Sequence, residues 1–173
     1  MEKRTIRNAG PGDIEQIMLI ESSSFHETIR ENRSVFLERI AFFREGFLVL
    51  EIDDHACGYI SSEIWDYSED ITATSFILNH KLSEIHTTTG SELYISSIGI
   101  LEEYRGKGYG NLLLSELSRR MIEKYAISSI ILLVSANWSA ARRIYEKNGF
   151  EEMCRIPGFF DNGSEGIVMR KHL

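Results

Sequence analysis

The sequence predicts an α/β (α+β) layered domain built on a mixed sheet. Apolar runs of strand length alternate with segments of helical periodicity along the whole chain. One run, Ser129–Val134, carries five consecutive aliphatics, as a strand covered on both faces does. A glycine-rich turn, Arg105-Gly106-Lys107-Gly108-Tyr109-Gly110, separates an apolar extended run from a strongly helical one. With 173 residues, 43% of them hydrophobic, and only two prolines, the chain can bury a sizeable core as one domain, 1–173. No internal repeat or linker divides it.

Thr5–Arg7 is a short strand closed by Gly10-Pro11-Gly12. Asp13 suits a helix cap, and Ile14, Ile17, Met18 and Glu21 follow at helical spacing. A second helix is predicted over Ser34–Phe43, where Val35, Ile40, Phe42 and Phe43 crowd one side. Phe47–Ile52 and Cys57–Trp65 read as a hairpin joined by Asp53-Asp54-His55-Ala56. Residues 66–91 break the pattern and form a long connection with one helix inside. Leu93–Ile100 is the central strand. Gly108–Tyr125 is a helix, since Leu113, Leu117 and Met121 repeat every four residues with Leu114 alongside. Ser129–Val134 is the covered strand. Asn137–Asn148 is a short helix, stopped by Gly149 at the usual left-handed terminator. Phe150–Ile156 and Gly166–Arg170 supply the closing strands.

The net charge of −7 argues against non-specific nucleic-acid binding, which needs clustered Lys and Arg. It suits a cationic partner. No apolar run approaches the ~18–20 residues of a membrane span. The start, Met-Glu-Lys-Arg-Thr, lacks the apolar stretch of a signal peptide. Cys57 and Cys154 are too few for a disulfide framework and lack metal spacing. A cytoplasmic protein without metal, membrane or nucleic-acid partner, monomeric or homodimeric, is expected.

Glycines at 106, 108 and 110 strip side chains from the turn, so backbone N–H groups can approach a bound group closely. The helix that follows adds unpaired amides and the positive end of its dipole. Arg105 and Lys107 stand ready with full charges, and a pyrophosphate is the natural guest. A Walker A loop is excluded, because Gly108 follows Gly106-Lys107 where Ser or Thr is required and its first glycine would be Leu101. The dinucleotide pattern G-x-G-x-x-G fails too: its last glycine falls on Asn111 or Leu113.

The segment ISSIGILEEYRGKGYGNLLLSEL resembles the acetyl-CoA-binding region of the GCN5-related N-acetyltransferases (GNAT), with Arg105, Gly108 and Gly110 filling its Arg/Gln-x-x-Gly-x-Gly/Ala signature. Downstream, NWSAARRIYEKNGF is similar to that family's second signature. The opening TIRNAGPGDIEQI and the hairpin FLVLEIDDHACGYISSEI also read like it, so the resemblance covers most of the chain. It implies a mostly antiparallel sheet of about six to seven strands flanked by about four helices. It also implies acetyl-CoA as cosubstrate and an amine as acceptor. Within the family, ribosomal-protein alanine acetyltransferases and serotonin N-acetyltransferase-like enzymes are nearest in character.

Acetyl transfer from a thioester needs a neutral amine, because an alkyl amine of pKa near ~10 is mostly protonated at pH 7. It also needs donors for the oxyanion and a proton for the departing thiolate. Asn137, Ala141 and Tyr145 lie four apart, along one face of the short helix. The resemblance implies that Tyr145 is the general acid at the CoA sulfur, that Asn137 contacts the cofactor, and that Ala141 leaves room for the pantetheine arm. It assigns the backbone of Ile98, Gly99 and Ile100 to the oxyanion and the pantetheine amides. Residues 105–110, Tyr109 included, would take the pyrophosphate. Relatives often carry a basic carboxylate near the positions of Ser96 and Ser97, and this chain departs from that pattern. Glu92 is the candidate base, with Glu63 and His86 also within conceivable reach; alternatively Ser96 and Ser97 hold a water wire that drains the proton to solvent. Asp66, Glu69 and Asp70, with Glu27 and Glu31, could ring a cleft for a cation, and Phe159-Phe160 could border the acceptor. The acceptor is a protein N-terminus or a small amine such as a polyamine, amino sugar or arylalkylamine. The competing expectation is a CoA-binding regulatory or interaction module with weak catalysis.

Overall fold

A computed structural model describes residues 2–173. The strands β1 (Arg4–Asn8), β2 (Phe47–Ile52), β3 (His55–Trp65), β4 (Glu92–Ile100), β5 (Ser129–Ser135), β6 (Glu151–Ile156) and β7 (Gly166–His172) form one sheet. Their order is β1-β2-β3-β4-β5-β7-β6. Only β4 and β5 run parallel; every other pair is antiparallel. The helices are α1 (Ile14–Ser24), α2 (Arg33–Phe42), the single turn α3 (Leu82–Ile85), α4 (Tyr109–Lys124) and α5 (Ser139–Lys147). The mixed, mostly antiparallel sheet expected from the sequence is present.

Two of the boundary differences from the expectation have clear local causes. β3 begins at His55, because Asp53 (φ 48°) and Asp54 (φ 65°) alone make the hairpin turn. Positive φ at both central positions matches the twist of the flanking strands. α5 begins at Ser139, so Asn137 lies in the turn after β5, where its N–H donates to Ser135 Oγ at 3.3 Å.

β4 and β5 pair only where Glu92–Ile95 faces Ser129–Leu132. Against β3, Ser61 faces Ser97 while Ser62 faces Ile95, which makes Ser96 an extra, bulged residue. A bulge bends its strand and increases the twist. The end of β4 therefore leaves β5, which continues alongside β7 as far as Ser135. A wedge opens between two parallel strands.

Each face of the sheet has its own core. Leu113, Leu117 and Met121 of α4 pack with Ile60, Ile95, Leu132 and Met169 on one face. On the other, Ile14, Ile17 and Ile20 of α1 and Phe36 and Ile40 of α2 cover Phe47, Val49 and Tyr59. The 66–91 connection continues that second layer, with Phe76 set against Trp65, Tyr94, Ile131 and Val168.

Buried charge pins this connection down. Arg39, 1% exposed, lies 2.9 Å from Glu63 and 3.2 Å from Glu31. His80, on the connection, puts Nε2 at 2.7 and 2.8 Å from the Glu63 oxygens and Nδ1 at 2.8 Å from the Ile77 carbonyl. Glu63 and the carbonyl are acceptors, so a doubly protonated ring satisfies both. Burial opposes both charges, yet the paired partners hold Glu63 below the usual carboxylate range and raise His80. Glu63 thus stabilises the fold above its unfolded pKa of ~4.3, and His80 below its unfolded ~6.5. Stability from the pair is greatest between those limits; it falls as acid protonates Glu63 and as alkali passes the raised His80 value. Two outcomes follow for urea unfolding. Arg39→Leu, which leaves Glu31 without its ion pair and Glu63 with His80 alone, should cost about 3–5 kcal/mol. His80→Gln should remove the alkaline decline while leaving the acid one.

Candidate active site

The wedge exposes one edge of β4. Leu101 N–H donates to the Cys57 carbonyl at 2.9 Å, which fixes the parity of the β3–β4 ladder. In an antiparallel pair, groups of alternate residues point to opposite sides. Gly99 therefore turns its N–H and C=O toward β3, and those of Ile98 and Ile100 face the open wedge. The Ile100 carbonyl is taken by Arg105 Nε at 2.9 Å. Ile98 and Ile100 thus supply the pairing groups for an extended amide chain entering as a further strand. Gly99 serves by lacking a side chain: a Cβ there would sit 2.7 Å from Tyr59 and 2.9 Å from Ile20.

Next comes the glycine turn. Gly106 (φ 74°) and Gly108 (φ 83°) hold left-handed conformations, and Gly108 caps α4. Among the described residues, nothing beyond the adjoining backbone lies within 4 Å of a Cβ built at residue 106, 108 or 110. Bare amides at the positive end of a 16-residue helix form a cradle that suits a pyrophosphate. The charged neighbours divide the work differently from the expectation. Arg105 spends its guanidinium on two carbonyls, Ile100 and Ser23, both at 2.9 Å, and so straps the turn to the ends of β4 and α1. Lys107 stays at the turn, 5.3 Å above the Tyr104 ring. Tyr109 offers only its backbone, because its ring is buried in the α4-side core and its hydroxyl donates to Glu2.

Across the wedge, α5 presents Ala141 and Tyr145 to the same core. The Tyr145 ring sits 5.8 Å from Phe150. Burial pushes its hydroxyl up to about 12, so it holds its proton throughout the neutral range. Cys57 is buried and its thiol is pushed up to about 11, far from the thiolate that covalent catalysis needs.

A groove of about 480 Å³ lies between the α1–α2 loop and the β6–β7 loop, with Ser24, Phe25, His26, Ile29, Ser135, Trp138, Phe160 and Asp161 along it. Trp138 is its hinge point, 5.8 Å from Phe25 and 5.6 Å from Phe160. Phe160 was singled out from the sequence. Phe25 and Trp138 were not, because isolated aromatics in turns carry no periodic signal.

Glu92 is placed elsewhere. It sits six residues before Ile98 along β4, roughly 20 Å at strand rise. It is 2% exposed, and its carboxylate takes Arg170 at 2.6 and 3.0 Å and Ser129 at 2.9 Å. Glu63 is committed to Arg39 and His80, and His86 Nδ1 accepts from Ile64 N–H at 3.0 Å. The acidic residues do not share one cleft either. Asp66, Asp70 and Glu84 border a separate depression of about 410 Å³ around Trp65 and Arg170, whereas Glu31 is buried beside Arg39.

The family model described as "Acetyltransferase (GNAT) family" matches residues 14–150. An N-alpha-acetyltransferase of Sulfurisphaera tokodaii is 28% identical, over 95% of this chain and 90% of its own. Among solved structures, the loading GNATL domain of CurA from Lyngbya majuscula superposes with a TM-score of 0.84 at 16% identity, covering 98% of each chain. Arabidopsis thaliana Naa50, in complex with the bisubstrate analogue CoA-Ac-MVNAL, gives 0.74 at 22% identity over 98% of this chain and 99% of that one. The open strand edge, the bare glycine cradle and the match over most of its length lead to one conclusion: this chain belongs to the GNAT acetyltransferase family, acyltransferases that use acetyl-CoA to acetylate amines.

Proposed function

We propose that residues 1–173 act as one N-α-acetyltransferase domain, whose acceptor is the amino terminus of a protein or peptide. The observation that carries this reading is the groove between the α1–α2 and β6–β7 loops. Phe25, Trp138 and Phe160 line it, an aromatic surface suited to an apolar first side chain. The name of the Sulfurisphaera relative and the peptide portion of the analogue bound to Naa50 support the same choice.

In this reading the cradle of residues 106–110 and Lys107 binds the pyrophosphate. Ile98 and Ile100 hold the pantetheine amides, and the Ile98 N–H faces the carbonyl where negative charge develops. Asn137 and Ala141 border the arm. Tyr145 donates to the sulfur as the C–S bond breaks, and its raised pKa guarantees that the donor is present. Glu92 has a structural role only, as the partner of Arg170.

Peptides with a free α-amine and an internal lysine, assayed by mass spectrometry, should gain acetyl at the terminus alone; acetylation of small amines but no peptide would overturn the acceptor assignment. Tyr145→Phe should lower kcat by about 10²-fold with the KM for acetyl-CoA nearly unchanged. Glu92→Gln should lower the unfolding midpoint and leave the pH–rate profile where it was.

A further inference from the structure

Bulging at Ser96 puts two consecutive side chains of β4 on one face, that of α1. Ser96 Oγ meets Ser61 Oγ at 2.6 Å, and Ser97 Oγ meets the Tyr59 hydroxyl at 2.7 Å. The second contact continues inward, because Tyr59 donates to Glu21 of α1. Glu21 is 1% exposed. Its other oxygen accepts the Glu31 N–H at 2.9 Å, and no cation pairs with it among the described residues. Glu21 holds the Glu31 N–H and the Tyr59 hydroxyl by hydrogen bonds, yet burying a carboxylate without an ion-pair partner is costly.

The directions of these hydrogen bonds are fixed by chemistry. Tyr59 has one proton and gives it to the carboxylate, so Ser97 must donate to Tyr59. Ser97 is half-buried at the wedge, one residue before the Ile98 groups that face the thioester. Its oxygen lone pairs are therefore free to accept a proton from the cleft.

We infer that Ser97, Tyr59 and Glu21 form a proton relay that takes the proton from the attacking amine into the protein. The inference rests on the acetyltransferase reading above. The neutral amine attacks the thioester carbonyl and forms the N–C bond. The resulting N–H⁺ passes a proton to Ser97, whose own proton moves to Tyr59, whose proton moves to Glu21. The C–S bond breaks, and the thiolate takes a proton from Tyr145. Glu21 then releases one proton to water while Tyr145 regains one, so the cycle balances. The ionisable groups facing Glu21 are Tyr59 on β3, Glu31 before α2 and Arg39 on α2. Burial is the largest influence on it and raises its pKa, which makes the carboxylate a stronger base than an exposed one.

The test is kcat against pH at saturating acetyl-CoA and peptide, for wild type, Glu21→Gln and Tyr59→Phe. Glutamine is isosteric at residue 21, and Tyr59→Phe removes one oxygen. Wild type should lose rate as acid protonates Glu21. Both variants should fall roughly 10²-fold in kcat, keep the KM for acetyl-CoA, and Glu21→Gln should lose the acid limb. A Glu21→Gln enzyme with wild-type rate and profile would overturn the relay. So would a slow Glu21→Gln beside an unaffected Tyr59→Phe, and the latter decides alone if Glu21→Gln does not fold. A wild type that acetylates no amine would instead remove the functional reading, and the relay with it.

Discussion

Everything functional in this chain depends on where β4 and β5 stop pairing. A parallel pair with four residues in register gives way to an open edge because Ser96 is bulged out of the β3–β4 ladder. That single extra residue has three consequences. It bends β4 away from β5, it leaves the Ile98 and Ile100 amides facing an open edge, and it sets Ser96 and Ser97 on the acceptor face together. A regular strand would have paired its polar groups with β5 and sent the two serines to opposite faces.

Around the wedge, the chain fixes its surroundings with charge rather than with extra apolar area. Arg105 ties the glycine cradle to β4 and α1 through backbone carbonyls. Arg39, Glu63 and His80 anchor the long connection, and Glu31 extends that network to the Asn79 N–H at 3.0 Å. The loop after α1 is thus held by groups that lie on α2 and on the connection. A groove wall made of loop is rigid only if its ends are, and these contacts supply that rigidity.

Much of the fold was legible in the sequence because it rests on periodicity. The α4 repeat of Leu113, Leu117 and Met121 and the aliphatic run of β5 each follow one rule of spacing. The glycine cradle was legible because left-handed φ and close approach require glycine. The base was not. Glu92 looked available as a carboxylate on the central strand, but the pairing partner that occupies it, Arg170, is 78 residues away. Glu21 was grouped with Ile14, Ile17 and Met18 by helical spacing, since nothing local shows that its carboxylate meets Tyr59 between α1 and the sheet. Asn137 was assigned to a helix face from four-residue spacing, which a turn can mimic. Sequence shows which segments repeat; it does not show which buried polar groups find each other.

The most direct test of the account is amide-resolved hydrogen exchange with and without acetyl-CoA. The wedge mechanism predicts new protection at Ile98 and Ile100 and at the 106–110 turn. Exchange at Leu93 and Ile95, within the segment that already has strands on both sides, should not change. Protection confined to the turn, with Ile98 and Ile100 exchanging as before, would contradict the claim that the open edge of β4 is where the thioester is held.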